Sequence, residues 1–165
     1  LGSGDLTAGN LYRCAYSPLL NANAGGFVVD VFSPVASQGT WVPTLLGSSV
    51  AGTPVYTLQS GNYEQIGRQV TARFALQTSA ITGIAGNVQI GGLPFPNNST
   101  DLGMAYICQV TGWPQATFTM IGGTITTSTS VIGLNASGQG VSTNFVTAAA
   151  ISAVTLLVGV ASYHV

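Results

Sequence analysis

Charge is what this sequence most lacks. Of its 165 residues, 4% are charged, against about 25% in an average soluble protein. There is no lysine, and the basic residues are Arg13, Arg68 and Arg73. The acids are Asp5, Asp30, Glu64 and Asp101, for a net charge of -1. Nucleic acid is held by clustered Lys and Arg that displace counterions from phosphate. Three scattered arginines cannot do that, so nucleic acid is not an expected partner.

Chemistry-bearing side chains are equally scarce. His164 is the single histidine, and no nucleophile motif surrounds any serine. An enzyme site needs convergent titratable groups, so no catalytic residue is expected. Glu64 and Asp101 are the only acids of the main body, and a glycosidase would need them paired in space. Glu64 is better explained as a partner of Arg68 or Arg73. Cys14 and Cys108 form no CxxC, and no zinc-ligand spacing exists, so neither metal nor cofactor is expected. The two thiols are read as free and buried, with one disulfide as the alternative. The paired glycines Gly91-Gly92 and Gly122-Gly123 complete no phosphate-binding loop and are read as turn residues. Asn98-Ser99-Thr100 and Asn135-Ala136-Ser137 match the glycosylation sequon, which has no meaning without a secretory route.

No basic segment precedes an apolar run, so no signal peptide is visible. The chain starts at Leu1 and is read as a piece of something longer. Phe145 to Val165 is long enough to span a bilayer. Thr147, Ser152, Thr155, Gly159 and Ser162 interrupt it, which favours a buried strand and no membrane insertion.

What the sequence has in abundance is apolar and neutral polar residues. Hydrophobic residues make up 46% of it, too many for disorder. A neutral Ser/Thr/Asn/Gln surface does little to keep copies apart and suits a stable assembly. Val, Ile, Thr, Tyr and Phe recur between Gly-rich breaks, the pattern of an all-β protein. Leu11–Tyr16 and Phe27–Phe32 predict a small β-hairpin. Ser33-Pro34 to Gly39 reads as a linker, dividing residues 1–37 from a body of residues 38–165. In the body, Thr53–Gln59 and Tyr63–Ile66 read as strands joined by a Ser60-Gly61-Asn62 turn. Arg68–Thr78 alternates with period two: Val70, Ala72, Phe74 and Leu76 share one face. Asn87–Ile90, Met104–Val110, Thr117–Ile121 and Thr124–Leu134 read as further strands. The last strand lies within Ile151–Tyr163, apolar on both faces and so central or at a subunit contact. A helix over Thr143–Leu157 competes with it.

Three segments in order resemble a family of domains found near the C-termini of bacteriophage tail fibre and virion-associated proteins. Gly39-Thr40-Trp41-Val42-Pro43-Thr44-Leu45 is similar to its G-T-W-T-P-x-L opening. Tyr56 to Val70, with Gln59, Gly61, Tyr63, Ile66 and Gly67 in register, resembles Y-x-x-Q-x-G-x-Y-x-x-I-G-x-x-V. Ile90-Gly91-Gly92-Leu93-Pro94-Phe95 is similar to I-x-G-L-P-F. Residues 5–12 also resemble the lead-in that precedes this domain.

The resemblance implies an antiparallel, jelly-roll-like β-sandwich assembled as a homotrimer, carried on the virion and assembled in the bacterial cytoplasm. It implies a structural role: Trp41, Pro43, Tyr63, Ile66, Gly67, Gly92, Leu93, Pro94 and Phe95 are expected to hold the fold, with Tyr63, Ile66 and Val70 in the core. Two non-enzymatic functions are open. One is attachment to a host receptor, in particular a surface polysaccharide, for which Trp113-Pro114 is the candidate contact. The other is a head-fibre, decoration or baseplate protein binding only other virion proteins. Burial of Trp113 at a trimer seam is an equal reading.

Overall fold

The computed structural model describes residues 11–17, 26–32, 36–113 and 118–165. The chain divides into two units, Leu1–Ala36 and Ser37–Val165. In the first, β1 (Leu11–Ser17) and β2 (Gly26–Phe32) pair antiparallel, with Leu11 opposite Phe32 and Ser17 opposite Gly26. Pro34 of the expected linker lies outside the described residues.

The body is all β. Its strands are β3 (Ala36–Trp41), β4 (Thr44–Gly47), β5 (Thr53–Ile66), β6 (Gln69–Thr82), β7 (Val88–Gly91), β8 (Gly103–Thr111), β9 (Met120–Ile125), β10 (Ile132–Gly138), β11 (Val141–Phe145) and β12 (Leu156–His164). All ten belong to one sheet, in the order β3-β5-β6-β12-β8-β9-β10-β7-β4, with β11 paired to β10. Every pairing of known register is antiparallel.

The ends of this sheet explain its shape. β3 and β4 are at opposite edges, yet only Val42 and Pro43 separate them in the chain. The sheet must therefore curl until its edges approach. Two side chains stitch the approach. The Leu45 N–H donates to Tyr56 Oη at 2.7 Å, and Gln59 Nε2 donates to the Pro43 carbonyl at 2.9 Å. Burial raises the Tyr56 pKa above its ordinary value, with the Leu45 bond opposing. Tyr56→Phe would orphan the Leu45 N–H and is expected to cost about 1–3 kcal/mol. Urea unfolding at unchanged m-value checks this.

The concave side holds the core. Val70, Ala72, Phe74 and Leu76 are buried, as the alternation in β6 predicts. β12 lies between β6 and β8, so it is central. Its Leu157, Ala161 and Tyr163 point inward with Ile107, Ile132 and Leu134. Only a short 3-10 turn, Ala148–Ala150, forms where a helix was the alternative.

The three sequence segments meet at one corner. The Trp41 indole lies over Gly61, where an added Cβ would come within 2.7 Å of Nε1. Reciprocally, the Tyr63 ring lies over Gly39, where a Cβ would come within 2.8 Å of Cε1. So β3 and β5 exchange aromatic for glycine twice. Phe95 meets Tyr63 edge-on with centroids 5.3 Å apart, and Trp41 meets Phe74 at 6.0 Å. Gly92 has φ +89°, and a Cβ there would run into the Val42 carbonyl. Pro43 and Leu93 are buried, and Tyr63, Pro94 and Phe95 half-buried.

Several expectations need correction. Ser60-Gly61-Asn62 is no turn: it lies mid-strand in β5, opposite Ala75, Phe74 and Arg73. Its glycine serves the close approach of Trp41. The real turn is at Gly67, φ +59°. Ile66, expected in the core, is 60% exposed because it points outward beside that turn. Thr124–Leu134 is two strands, not one. Between them Ser128 takes φ 58°, and its N–H reaches the Asn97 and Asn98 carbonyls. Cys108 has a free but exposed thiol. Strand alternation places it outward with Met104 and Tyr106, and it is the extra residue where the β8–β12 register shifts; Sγ donates to the Val158 carbonyl at 3.3 Å.

Candidate functional site

Among the described residues the two acids of the body, Glu64 and Asp101, lie apart, each with its own partner. Glu64 Oε1 is 3.5 Å from Arg73 Nη1, both more than half exposed. Asp101 Oδ2 is 3.5 Å from His164 Nδ1. Asn98 Nδ2 also donates to Asp101 Oδ2 at 3.0 Å, while Asn98 Oδ1 accepts from the Thr100 and Asp101 N–H groups. The Asn98 bond, then His164, holds the Asp101 carboxyl below the usual carboxylate range. Glu64 shares a cross-strand row with Thr71, Ser162 and Met104. It is thus three strand spacings, about 14 Å, from the strand that follows Asp101. Paired glycosidase carboxyls sit about 5–9.5 Å apart. Among the described residues no group of three His, Cys, Asp or Glu is placed to hold a metal. No described helix is long and apolar enough to cross a membrane.

Trp113 is half-buried against the core, and its Nε1 donates to the Phe118 carbonyl at 3.4 Å. Pro114 lies outside the described residues.

Two of the clefts on the outward face of the described sheet differ in character. The first, about 370 Å³, lies over β5, β6, β12 and β8. Asn62, Arg73, Val160 and Tyr106 line it in one cross-strand row. Nearby Met104 and Met120 are exposed as well, which makes this face largely apolar.

The second cleft, about 260 Å³, lies over β7, β10, β9 and β11. Alternation builds it. Ile132, Leu134 and Ala136 point into the core, so Gly133 and Asn135 point outward. Gly133 pairs with Thr124 on one side and Gln89 on the other, and Asn135 pairs with Phe145. Asn87, Thr126 and Val131 complete the lining, and no charged side chain belongs to it. The exposed Phe145 ring stands beside the bare Gly133 floor: a Cβ there would lie 3.9 Å from Phe145 Cε1. Asn135 Nδ2 donates to Thr124 Oγ1 at 2.8 Å, which leaves Oδ1 as an acceptor.

The curled sheet is similar to part of a tailspike. Superposed on the Dettilon tailspike protein (gp208), it gives a TM-score of 0.67 over 78% of this chain, at 15% sequence identity. The matched region is 24% of that tailspike chain, so this chain spans about a quarter of its length. No protein-family model and no curated protein matches the sequence.

The tailspike likeness is one of fold. The polar cleft is a property of this chain's own sheet order, which the sequence does not disclose. β9 directly precedes β10 in the chain, whereas β7 lies three strands earlier, and the sheet order brings both alongside β10. The one local sign was the period-two placing of Asn87 with Gln89 and Gly133 with Asn135.

Proposed function

We propose that this chain is a structural, non-enzymatic domain of a bacteriophage tail fibre or tailspike, displayed on the virion, that attaches the particle to a host-surface glycan. The observation that carries the reading is an outward sheet face with a charge-free cleft of amide, hydroxyl and aromatic groups, on a fold shared with a tailspike. Neutral glycans are held by hydrogen bonds and by aromatic faces, and need no counter-charge. The crossed Trp41–Gly61 and Gly39–Tyr63 packing supports the resemblance to tail-fibre domains, because it ties their most specific residues to one corner. The jelly-roll-like sandwich and the homotrimer belong to the same proposal. The exposed side chains of Met104, Tyr106 and Met120 on neighbouring strands support a subunit contact, since monomers rarely display a broad apolar patch.

Purified chain is expected to bind cells of the host and to slow adsorption of the phage that carries it. If it does neither, a head-fibre, decoration or baseplate role among other virion proteins replaces the attachment role. Light scattering is expected to report three chains per particle. Oligosaccharide release that is lost in Glu64→Gln or Asp101→Asn would overturn the non-enzymatic part.

A further inference from the structure

We propose that the cleft over β7, β10, β9 and β11 is a subsite for one neutral pyranose ring. This inference rests on the attachment reading above and says where and how the glycan is held. At about 260 Å³, the cleft falls below the roughly 300–1,000 Å³ of drug-sized sites. It fits a single sugar unit, with the rest of a polysaccharide running out along the sheet.

The lining matches what a sugar ring offers. One face of a pyranose is a patch of C–H groups, which packs against the negative π-face of an aromatic ring. Phe145 supplies that face and is 60% exposed, so solvent now covers what a ligand would cover. The rim of the sugar is hydroxyls, each both donor and acceptor. Gln89 and Asn87 bring amides on the β7 side of β10, Thr124 and Thr126 bring hydroxyls on its β9 side, and Asn135 Oδ1 adds an acceptor. Among the described residues, neither Asn87 nor Gln89 spends its side-chain amide on another protein group. Gly133 makes room, since any side chain in that row would fill the floor between Thr124 and Gln89.

The charge of the ligand follows from the same list of neighbours. No Arg, Lys or His lines the cleft. A carboxylate or phosphate on the sugar would lose water and find only neutral amide and hydroxyl donors, with no cation to offset its charge, a penalty that disfavours it. The arginines Arg68 and Arg73 belong to β6 and the turn before it, across the sheet from β7 and β10. The subsite therefore selects neutral sugars over acidic ones.

Gly133→Ala is the cleanest probe. Its Cβ would sit 3.6 Å from the Thr124 carbonyl oxygen and 3.9 Å from Phe145 Cε1. Those are ordinary contacts, so the fold tolerates the methyl group while the floor rises. Full-length chain is applied to an array of bacterial-surface oligosaccharides, neutral ones beside ones bearing carboxylate or phosphate. Retention is expected on neutral glycans only. Gly133→Ala and Phe145→Ala should each weaken it at least tenfold at unchanged melting temperature, and Phe145→Trp should retain it. Glu64→Gln, exposed on β5 and outside this cleft, should leave it unchanged.

No retention, retention confined to acidic glycans, or equal retention by Gly133→Ala and Phe145→Ala overturns the subsite. So does a change of oligomeric state in Gly133→Ala, which would make the cleft a contact between copies. The two proposals fail separately. Host-cell binding that persists in both variants removes the subsite and spares the attachment role, whereas wild-type chain that binds no host cells removes the attachment role itself.

Discussion

Trp41→Ala is expected to destabilise the body by about 3–5 kcal/mol, the usual cost of emptying an aromatic site in a core. Trp41 is 6% exposed and carries more than volume. Its Nε1 donates to the Arg73 carbonyl at 3.1 Å and the Asn62 carbonyl at 3.3 Å. One side chain of β3 therefore ties down the β5–β6 hairpin. The packing is also reciprocal, and that makes a sharper test. Gly61→Ala places a methyl against the indole at 2.7–2.8 Å, an overpacking that costs about 1–3 kcal/mol. In the double variant that methyl has the vacated indole site to enter. The double variant should be less destabilised than the sum of the singles, by about 0.5–3 kcal/mol of coupling. Urea unfolding of the four proteins measures it. Simple additivity would mean that Gly61 and Trp41 do not share that space.

Asn97→Asp is expected to rival it, with a dependence on pH that no cavity would show. Asn97 is 3% exposed. Its Nδ2 donates to three carbonyls, those of Asp101 at 2.7 Å, Ile125 at 3.2 Å and Thr126 at 3.3 Å. A carboxylate has the same shape but cannot donate, and it would face three oxygens out of reach of water. A buried charge with no partner costs about 3–5 kcal/mol. The folded protein would resist ionising the new carboxyl, so its pKa would rise above the unfolded value of about 3.9. The ionisation penalty is absent below that value, where the acid stays neutral and donates one hydrogen bond. It grows as pH rises, until the folded-state pKa is passed. Unfolding followed at pH 4 and pH 7 should show the variant losing stability on the way up relative to wild type. Equal deficits at both values would show that the lost donor, not the charge, is what matters.

Local pattern was legible where it coincided with burial. The alternation of Val70, Ala72, Phe74 and Leu76 predicts β6 because one face of that strand meets the core. The two apolar faces of β12 were readable because both of its neighbours are strands. The failures have physical causes. Ser60-Gly61-Asn62 has turn composition, but a glycine in a strand also lets another group approach closely, and here that group is the Trp41 indole. Ile66 is apolar yet outward: three residues from Tyr63 in one strand, it shares the face of Asn62 and Glu64, which its residue type masked. The Thr126–Thr129 break hid among β-formers. Its signal is a hydrogen bond from the Ser128 N–H to the distant Asn97 carbonyl. The polar cleft needed the order of strands, which the sequence does not spell out. Trp113 was singled out for its residue type; its surroundings are half-buried packing against the core.

The place of β12 has a consequence for how the molecule is made. A ribosome delivers β3 to β11 before it, yet β6 and β8 meet no partner on their facing edges until β12 slides between them. Pairings of such wide sequence separation are slow to form. Until they do, two long strand edges stand open to the wrong neighbour. The nascent chain is thus a sheet with its middle missing, and the step that completes the core is also the step that ends its exposure.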